Sequence, residues 1–259
     1  VSVIALCSAK GSPGVTLAGQ VLASVWPRPV ALVDADPAGG DILWRCRTPQ
    51  GGPLNPDHGL LSLAAAARRD ADETNLSEHL QQTNLGQSVL VGLSSQEQLT
   101  GLGSVWTQLP SLLARHTEDV LVDCGQLSAG SAALPVIHKA DAVLVVVRPD
   151  MEGVAHLRSR LFQFGKSLRM GDADGTPVLI AVATTYRDTQ SATHLQQLLD
   201  SEGIPARVVG VFAEDAKGAG IFTSTRAGAP GRTLLARSAR VIAQALVSVP
   251  SVEQRIGMV

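Results

Sequence analysis

Aromatic residues are almost missing from this 259-residue chain: four Phe, one Tyr and three Trp make up 3% of it. Its core must therefore be filled by Val, Leu, Ile and Ala within a hydrophobic share of 45%, a composition that suits parallel strands buried on both faces. Cysteine is scarce as well. Cys7, Cys46 and Cys124 are odd in number and lie at unrelated positions, which argues against a disulfide framework or a zinc cluster. They read as buried, reduced thiols and point to a cytoplasmic setting. Net charge is only −2, which removes the global electrostatic case for nucleic acid or an anionic membrane. No apolar run approaches the roughly 20 residues that span a bilayer, so neither an integral membrane segment nor a secretory signal is expected. A G-x-S-x-G elbow is also lacking, which sets aside a Ser-His-Asp hydrolase. The six histidines, among them His58, His116, His138 and His156, are scattered without metal spacing and read as structural or solvent-facing.

What is present is a recurrence of short β-rich runs: VIALC (3–7), VALVD (30–34), SVLVG (88–92), DVLVD (119–123), AVLVVV (142–147), VLIAVA (178–183) and RVVGV (207–211). Each is too short for a helix and lacks the alternation of a half-exposed strand. Helical periodicity fills the intervals. Leu17, Val21 and Val25 share one face until Pro27. Val154, Leu157, Leu161, Phe164 and Leu168 do so within 152–169, Leu195, Leu198 and Leu199 within 189–202, and Leu235, Ala239, Ile242 and Leu246 within 232–247. Alternating strands and helices predict an α/β fold, a mostly parallel central sheet of about seven strands with helices on both faces. The length suits a single domain over 1–259. A chain that starts at Val1 directly on its first strand would also fit a piece of a longer protein with an upstream domain. The Gly/Pro-dense stretch 47–59 reads as a long loop.

In such sheets ligands bind at the carboxyl ends of the strands. The first strand runs into Lys10-Gly11-Ser12-Pro13-Gly14-Val15-Thr16-Leu17 and then a helix. Gly11 and Gly14 permit a tight turn, and the following helix start offers unpaired N–H groups to an anion. The ordinary phosphate-loop pattern G-x-x-x-x-G-K-[ST] places a lysine before its Ser/Thr; here Val15 takes that place. The second strand ends with Asp34 and Asp36, and the fourth with Asp123 followed by Gly125. Hydrophobic residues leading into an aspartate are the form in which a carboxylate reaches Mg²⁺.

With these residues the chain resembles the MinD/ParA-type ATPases with a deviant Walker A loop, K-G-G-x-G-K-[ST], whose extra lysine at the loop start matches Lys10. VALVDADPAGGD resembles their switch I and VLVDCG their switch II. AVLVVVRPDMEGV resembles the strand that follows, VVGVFAEDAKGAGIF the segment flanking the base, and RAGAPGRTLLARSARVIAQAL the closing helix. The resemblance covers nearly the whole chain in order. It implies ATP with Mg²⁺ held in a homodimer, Lys10 reaching the partner's phosphates and Asp36 positioning the attacking water. The loop from Lys10 to Leu17 would hold phosphates, Thr184, Ala213 and Glu214 would lie around the base, and Thr16, Asp34 and Asp123 would serve the metal.

Two departures weaken this pattern. Val15 removes a lysine–phosphate contact worth roughly 1.5–3 kcal/mol, and Thr184 with Thr185 stands where the family often has an adenine-reading Asn. Weak or absent hydrolysis is expected, because the missing charge would stabilise the transferring phosphoryl group. The resulting expectation is an ATP-binding spatial organiser or localisation scaffold that dimerises around nucleotide and recruits protein partners, similar to the TadZ/CpaE proteins of pilus systems. The alternatives are an active ParA-like ATPase that partitions DNA and, third, a metabolic ATP-dependent enzyme on the same fold. Arg226, Arg232, Arg237 and Arg240 form a basic stripe that would carry non-specific DNA binding, although an ordinary solvated helix face is the favoured reading. Trp26 and Trp106 read as core anchors, and Trp44, close to Arg45 and Arg47, as a candidate partner contact. The tail from Ser251 to Val259 is short and does not resemble a membrane-targeting helix.

Overall fold

The computed structural model describes residues 1–251 apart from Ser12, Thr189 and Thr225. The tail reading therefore falls, beyond Ser251, outside the described residues. In chain order the elements are β1 (Val3–Ser8), α1 (Val15–Val25), β2 (Val30–Asp34), α2 (Ile42–Arg45), α3 (Leu60–Arg69), β3 (Gln81–Gln82) and β4 (Ser88–Leu90). They continue with α4 (Leu99–Leu102), α5 (Val105–Ala114), β5 (Asp119–Gln126), α6 (Leu134–Lys139), β6 (Ala142–Val147) and α7 (Met151–Gly165). The last are β7 (Val178–Thr184), α8 (Ser191–Ser201), β8 (Ala206–Ala213), α9 (Ala216–Phe222) and α10 (Leu234–Val247).

The strands form one sheet in the order β3-β4-β2-β5-β1-β6-β7-β8. All pairings are parallel except β3 with β4. The seven expected strands are present. The eighth, two glutamines long, is an antiparallel edge that closes against β4 through the turn at 83–87, and it carries no apolar pattern to announce it.

Burial follows from the β-rich runs. Every residue of β1, β6 and β7 is buried, as a parallel sheet covered on both sides requires. Successive side chains along each strand enter opposite cores. Ala5, Cys7, Val122, Val143 and Val145 face one, built with the buried positions of α3, α5, α6, α7 and α8. Ile4, Leu6, Leu121, Leu144 and Val146 face the other, with α1, α2, α9 and α10. Trp26 and Trp106 are buried, at 8% and 6% exposed, while Trp44 is 62% exposed. All three cysteines are free and buried. Residues 47–59 contain no helix or strand.

Below the sheet, Asp119 pins the start of the fold. Its carboxylate accepts the Ser2 N–H at 2.8 Å, the Trp26 Nε1–H at 2.8 Å and the Arg28 Nε–H at 2.7 Å. Chain start, helix end and central strand are thereby tied together. Among the described residues no helix is long and apolar enough to cross a membrane.

Candidate functional site

The order of strands brings β1, β5 and β2 side by side, so the turns leaving their carboxyl ends meet on one rim. In register, Leu6 lies beside Asp123 and Asp34 beside Asp123. The turn after β1 needs glycine at two positions: Gly11 has φ 66° and Gly14 φ 99°, left-handed values that side chains resist. Gly14 caps α1 and its carbonyl accepts the Ala18 N–H at 2.8 Å. No side chain caps this helix start, so the N–H groups of its first turn remain available for an anion.

These turns enclose a cleft of about 430 Å³ lined by Gly11, Gly14, Val15, Thr16, Asp36 and Asp123, with Asp41 and Arg45 opposite. Asp123 is 1% exposed. Its Oδ1 accepts the Gly125 N–H at 3.0 Å, whereas its Oδ2 is buried without a hydrogen-bond partner. Burial pushes this carboxyl up to about 6, with the neighbouring Thr16 hydroxyl and the Gly125 N–H pulling the other way. An orphaned buried carboxylate oxygen beside a hydroxyl fits a hard cation. Among the described residues no group of three or more His, Cys, Asp or Glu could hold a metal ion. A cation here would therefore rely on Thr16, Asp123, a bound phosphate and water, as magnesium does at phosphate sites.

Asp36 also fronts the cleft. Its Oδ1 accepts the Ala38 N–H at 2.8 Å, and burial raises its pKa, with the charge of Asp41 adding to the effect. Its carboxylate packs where a side chain at Gly125 would stand, 2.4 Å from the position of a Cβ, and Gly125 itself has φ 64°. The glycine after the second acidic strand end is thus required by the aspartate of the first.

Asp34, expected at the metal with Thr16 and Asp123, stands apart from them. It is fully buried and does not line the cleft. Its carboxylate instead accepts the Ile42 N–H at 3.1 Å and the Asp36 N–H at 3.4 Å. Gly40 and Gly92 close over it, a Cβ on either falling within 2.4–2.8 Å of its carboxyl group. Desolvation, with the charge of Asp123, holds its pKa well above the ordinary carboxylate value. Asp34 is the bracket that sets α2 on the sheet, placed behind the metal candidates.

The remaining expected residues separate into three places. Lys10 is exposed, with Pro13 and Leu17 half-buried, and none of the three lines the cleft. Ser12 lies outside the described residues. Thr184 and Ala213 pair at the ends of β7 and β8, and the Glu214 N–H donates to the Thr184 carbonyl at 2.8 Å. Thr184 stands two strand spacings from β1, about 10 Å, and Ala213 three, about 14 Å, separations suited to the base of a nucleotide whose phosphates sit at Gly14. The Thr184 hydroxyl donates to Asp188 at 3.0 Å, so its proton is already committed.

Arg45 was named in the sequence only as a neighbour of Trp44 at a candidate partner contact, not as a site residue. It is the one basic side chain among the described lining residues, against Asp36, Asp41 and Asp123, and it is paired with Asp41. The one-turn helix that carries it is too short for any periodic signal. The cleft's own walls are therefore electronegative, and Val15, 7% exposed and packed into the core with Leu22 and Leu144, adds no charge to offset them.

No known protein family matches the chain by sequence, and no curated protein does. Solved structures do match it. A ParA family ATPase from Chlorobium tepidum superposes with a TM-score of 0.71 at 16% identity, covering 95% of this chain and 98% of that one. The cell division ATPase MinD of Pyrococcus furiosus gives 0.69 at 16%, over 96% and 99%. A cobyrinic acid a,c-diamide synthase from Mycobacterium smegmatis, solved with ADP and magnesium, gives 0.62 at 18%, over 95% and 94%. The chain thus has the α/β fold of the MinD and ParA structures. That fold also carries a synthase, so function has to be argued from the site.

Proposed function

We propose that this protein is a MinD/ParA-like nucleotide-responsive scaffold that holds Mg·ATP weakly, dimerises around it and turns it over slowly or not at all. The observation that carries this reading is the loop itself. Its glycine turns, uncapped helix start and orphaned Asp123 Oδ2 persist, while a buried valine replaces the charge that would neutralise a transferring phosphoryl group. In this reading Thr16 and Asp123 hold Mg²⁺, and Thr184, Ala213 and Glu214 lie along the base. Asp36 is aimed to orient a water, and Lys10, exposed on the rim, reaches a second copy. Bound Mg²⁺ would supply the positive charge that the acidic walls lack. The polar-localisation proteins of the TadZ/CpaE kind are the resemblance that suits a scaffold of this sort.

The synthase among the structural neighbours keeps a metabolic reading alive. A synthetase needs a substrate cavity that converges on the phosphates. The cavity of about 830 Å³ in this fold is lined by Val3, Asp141 and Thr176, at the amino ends of β1, β6 and β7, on the opposite rim. The scaffold reading is therefore the better supported. DNA partitioning has the exposed Arg226, Arg232, Arg237 and Arg240 in its favour, and it predicts salt-dependent duplex binding that is lost on replacing Arg237 and Arg240 together.

The test is calorimetric titration of Mg·ATP and of ATP with chelator, with molar mass followed by light scattering. The expected outcome is Mg²⁺-dependent binding in the micromolar to millimolar range and a shift to dimer that Lys10→Ala removes. Binding that is indifferent to Mg²⁺, or a monomer at saturating nucleotide, would overturn the proposal.

A further inference from the structure

Resting on that reading of the cleft, we propose that Arg45 is its phosphate-facing cation, held on Asp41 until a polyphosphate displaces the carboxylate. Position comes first. Arg45 lines the same cleft as Gly11, Gly14 and Thr16, from a helix whose place is closely set. The Ile42 N–H is bound by the buried Asp34 at 3.1 Å, and the Gly40 N–H by the Leu93 carbonyl at 2.6 Å. A Cβ at Gly40 would meet the Asp34 carboxylate, so the segment leading into α2 has little room to shift. The guanidinium is therefore presented from a firm base.

Availability comes second. The pair with Asp41 spans one helical turn, and its side chains are 32% and 51% exposed. Ion pairs of this kind contribute little to stability, so exchanging one anion for another is easy. A planar guanidinium matches phosphate with two parallel hydrogen bonds, and a multiply charged polyphosphate competes effectively with one solvated carboxylate for it. The neighbouring cations are engaged elsewhere or lie outside the cleft lining. Arg47 donates to the carbonyls of Trp44 and Cys46 at 3.0 and 2.7 Å, Arg160 reaches the Ala9 carbonyl at 3.5 Å, and Lys10 is exposed outside the cleft. Arg45 thus supplies from the switch side part of the charge that Val15 removes from the loop. Its charge faces the phosphates from the opposite wall, so it favours binding without restoring the loop's own contact.

Trp44, exposed and adjacent in sequence, makes the exchange observable. The other two tryptophans are buried, and Trp44→Phe identifies its share of the emission. The experiment titrates Mg·ATP and inorganic tripolyphosphate with Mg²⁺ into wild type, Arg45→Gln and Asp41→Asn, by calorimetry and by tryptophan fluorescence. Loss of a charge-assisted contact predicts that Arg45→Gln weakens both ligands about tenfold to hundredfold. Asp41→Asn frees the guanidinium and removes a like charge facing phosphate, so it tightens both, and the wild-type Trp44 signal changes on binding. Unchanged affinity in Arg45→Gln overturns the proposal, as does weakening in Asp41→Asn. Should Arg45→Gln fail to fold, Asp41→Asn decides alone: tightening supports the exchange, and no change or weakening refutes it. If wild type binds neither ligand at millimolar concentration, the nucleotide reading fails and takes this proposal with it. Binding that ignores both substitutions sinks only the role of Arg45.

Discussion

Replacing Asp123 with Asn should stabilise the protein when no magnesium is present. The carboxyl is fully buried, its Oδ2 makes no hydrogen bond of ordinary geometry although the Thr16 hydroxyl lies nearby, and its pKa is moved from the ordinary 3.8 to about 6. At 1.36 kcal/mol per pH unit, that displacement is worth about 3 kcal/mol once the group is ionised in the folded state. The sign follows from proton binding. Between about 4 and about 6 the folded protein holds a proton that the unfolded chain has released, so this group makes stability fall as pH rises through that window and leaves it flat above. Asn keeps the acceptor for the Gly125 N–H and cannot ionise. At neutral pH the variant should gain up to about 3 kcal/mol, roughly 6 °C in Tm for a chain of this size, and the gain should vanish near pH 4. Removing this charge also relieves Asp34, whose pKa is raised in part by it. Thermal melts of both proteins across this pH range, with and without Mg²⁺, measure the effect. With ATP present, magnesium should raise the Tm of wild type and move the variant less. A variant less stable than wild type at neutral pH, or a difference independent of pH, would refute the argument.

Two further substitutions probe the framework around the cleft. Asp119→Ala leaves the Trp26 indole N–H and the Ser2 amide without their acceptor, and should cost about 3–5 kcal/mol in urea unfolding. A loss below 1 kcal/mol would contradict the pinning role. Gly40→Ala places a Cβ 2.4 Å from an Asp34 oxygen, so it should lower stability by about 1–3 kcal/mol and also weaken phosphate binding through displacement of α2. Unaltered nucleotide affinity in a destabilised variant would separate α2 from the site.

The sheet was legible because all but one of its strands are continuous apolar runs with β-branched residues. Gln81–Gln82 carries no such signal; it is a strand only because the turn at 83–87 folds it onto Ser88–Leu90. Of the helices left unread, α3 buries Leu60, Leu63, Ala64 and Ala67 at helical spacing, a pattern available in the sequence. By contrast, α5 carries Pro110 in its interior, which reads as a helix stop, and α2 and α4 have four residues each. In the site, the glycine turn and the acidic strand ends were visible as motifs. The division of labour between Asp34 and Asp36 was not. They are two residues apart in sequence, but β2 ends at Asp34, and the chain turns so that one carboxylate supports α2 from below while the other meets the cleft. The place of Arg45 in the cleft was hidden for a related reason: it comes from the folding of residues 34–45 over the rim, which no local pattern encodes.

In the proposed reading the loop keeps a phosphate cradle but lacks a hydrolytic charge at position 15, where Val15 stands. Single-turnover hydrolysis of Mg·ATP by wild type and Val15→Lys, with affinities measured in parallel, addresses it most directly. Wild type should bind and show turnover at background level. The lysine variant should bind about tenfold to hundredfold tighter and release phosphate measurably above wild type. If wild type fails to bind ATP at millimolar concentration, or hydrolyses it as fast as the lysine variant, the claim is contradicted.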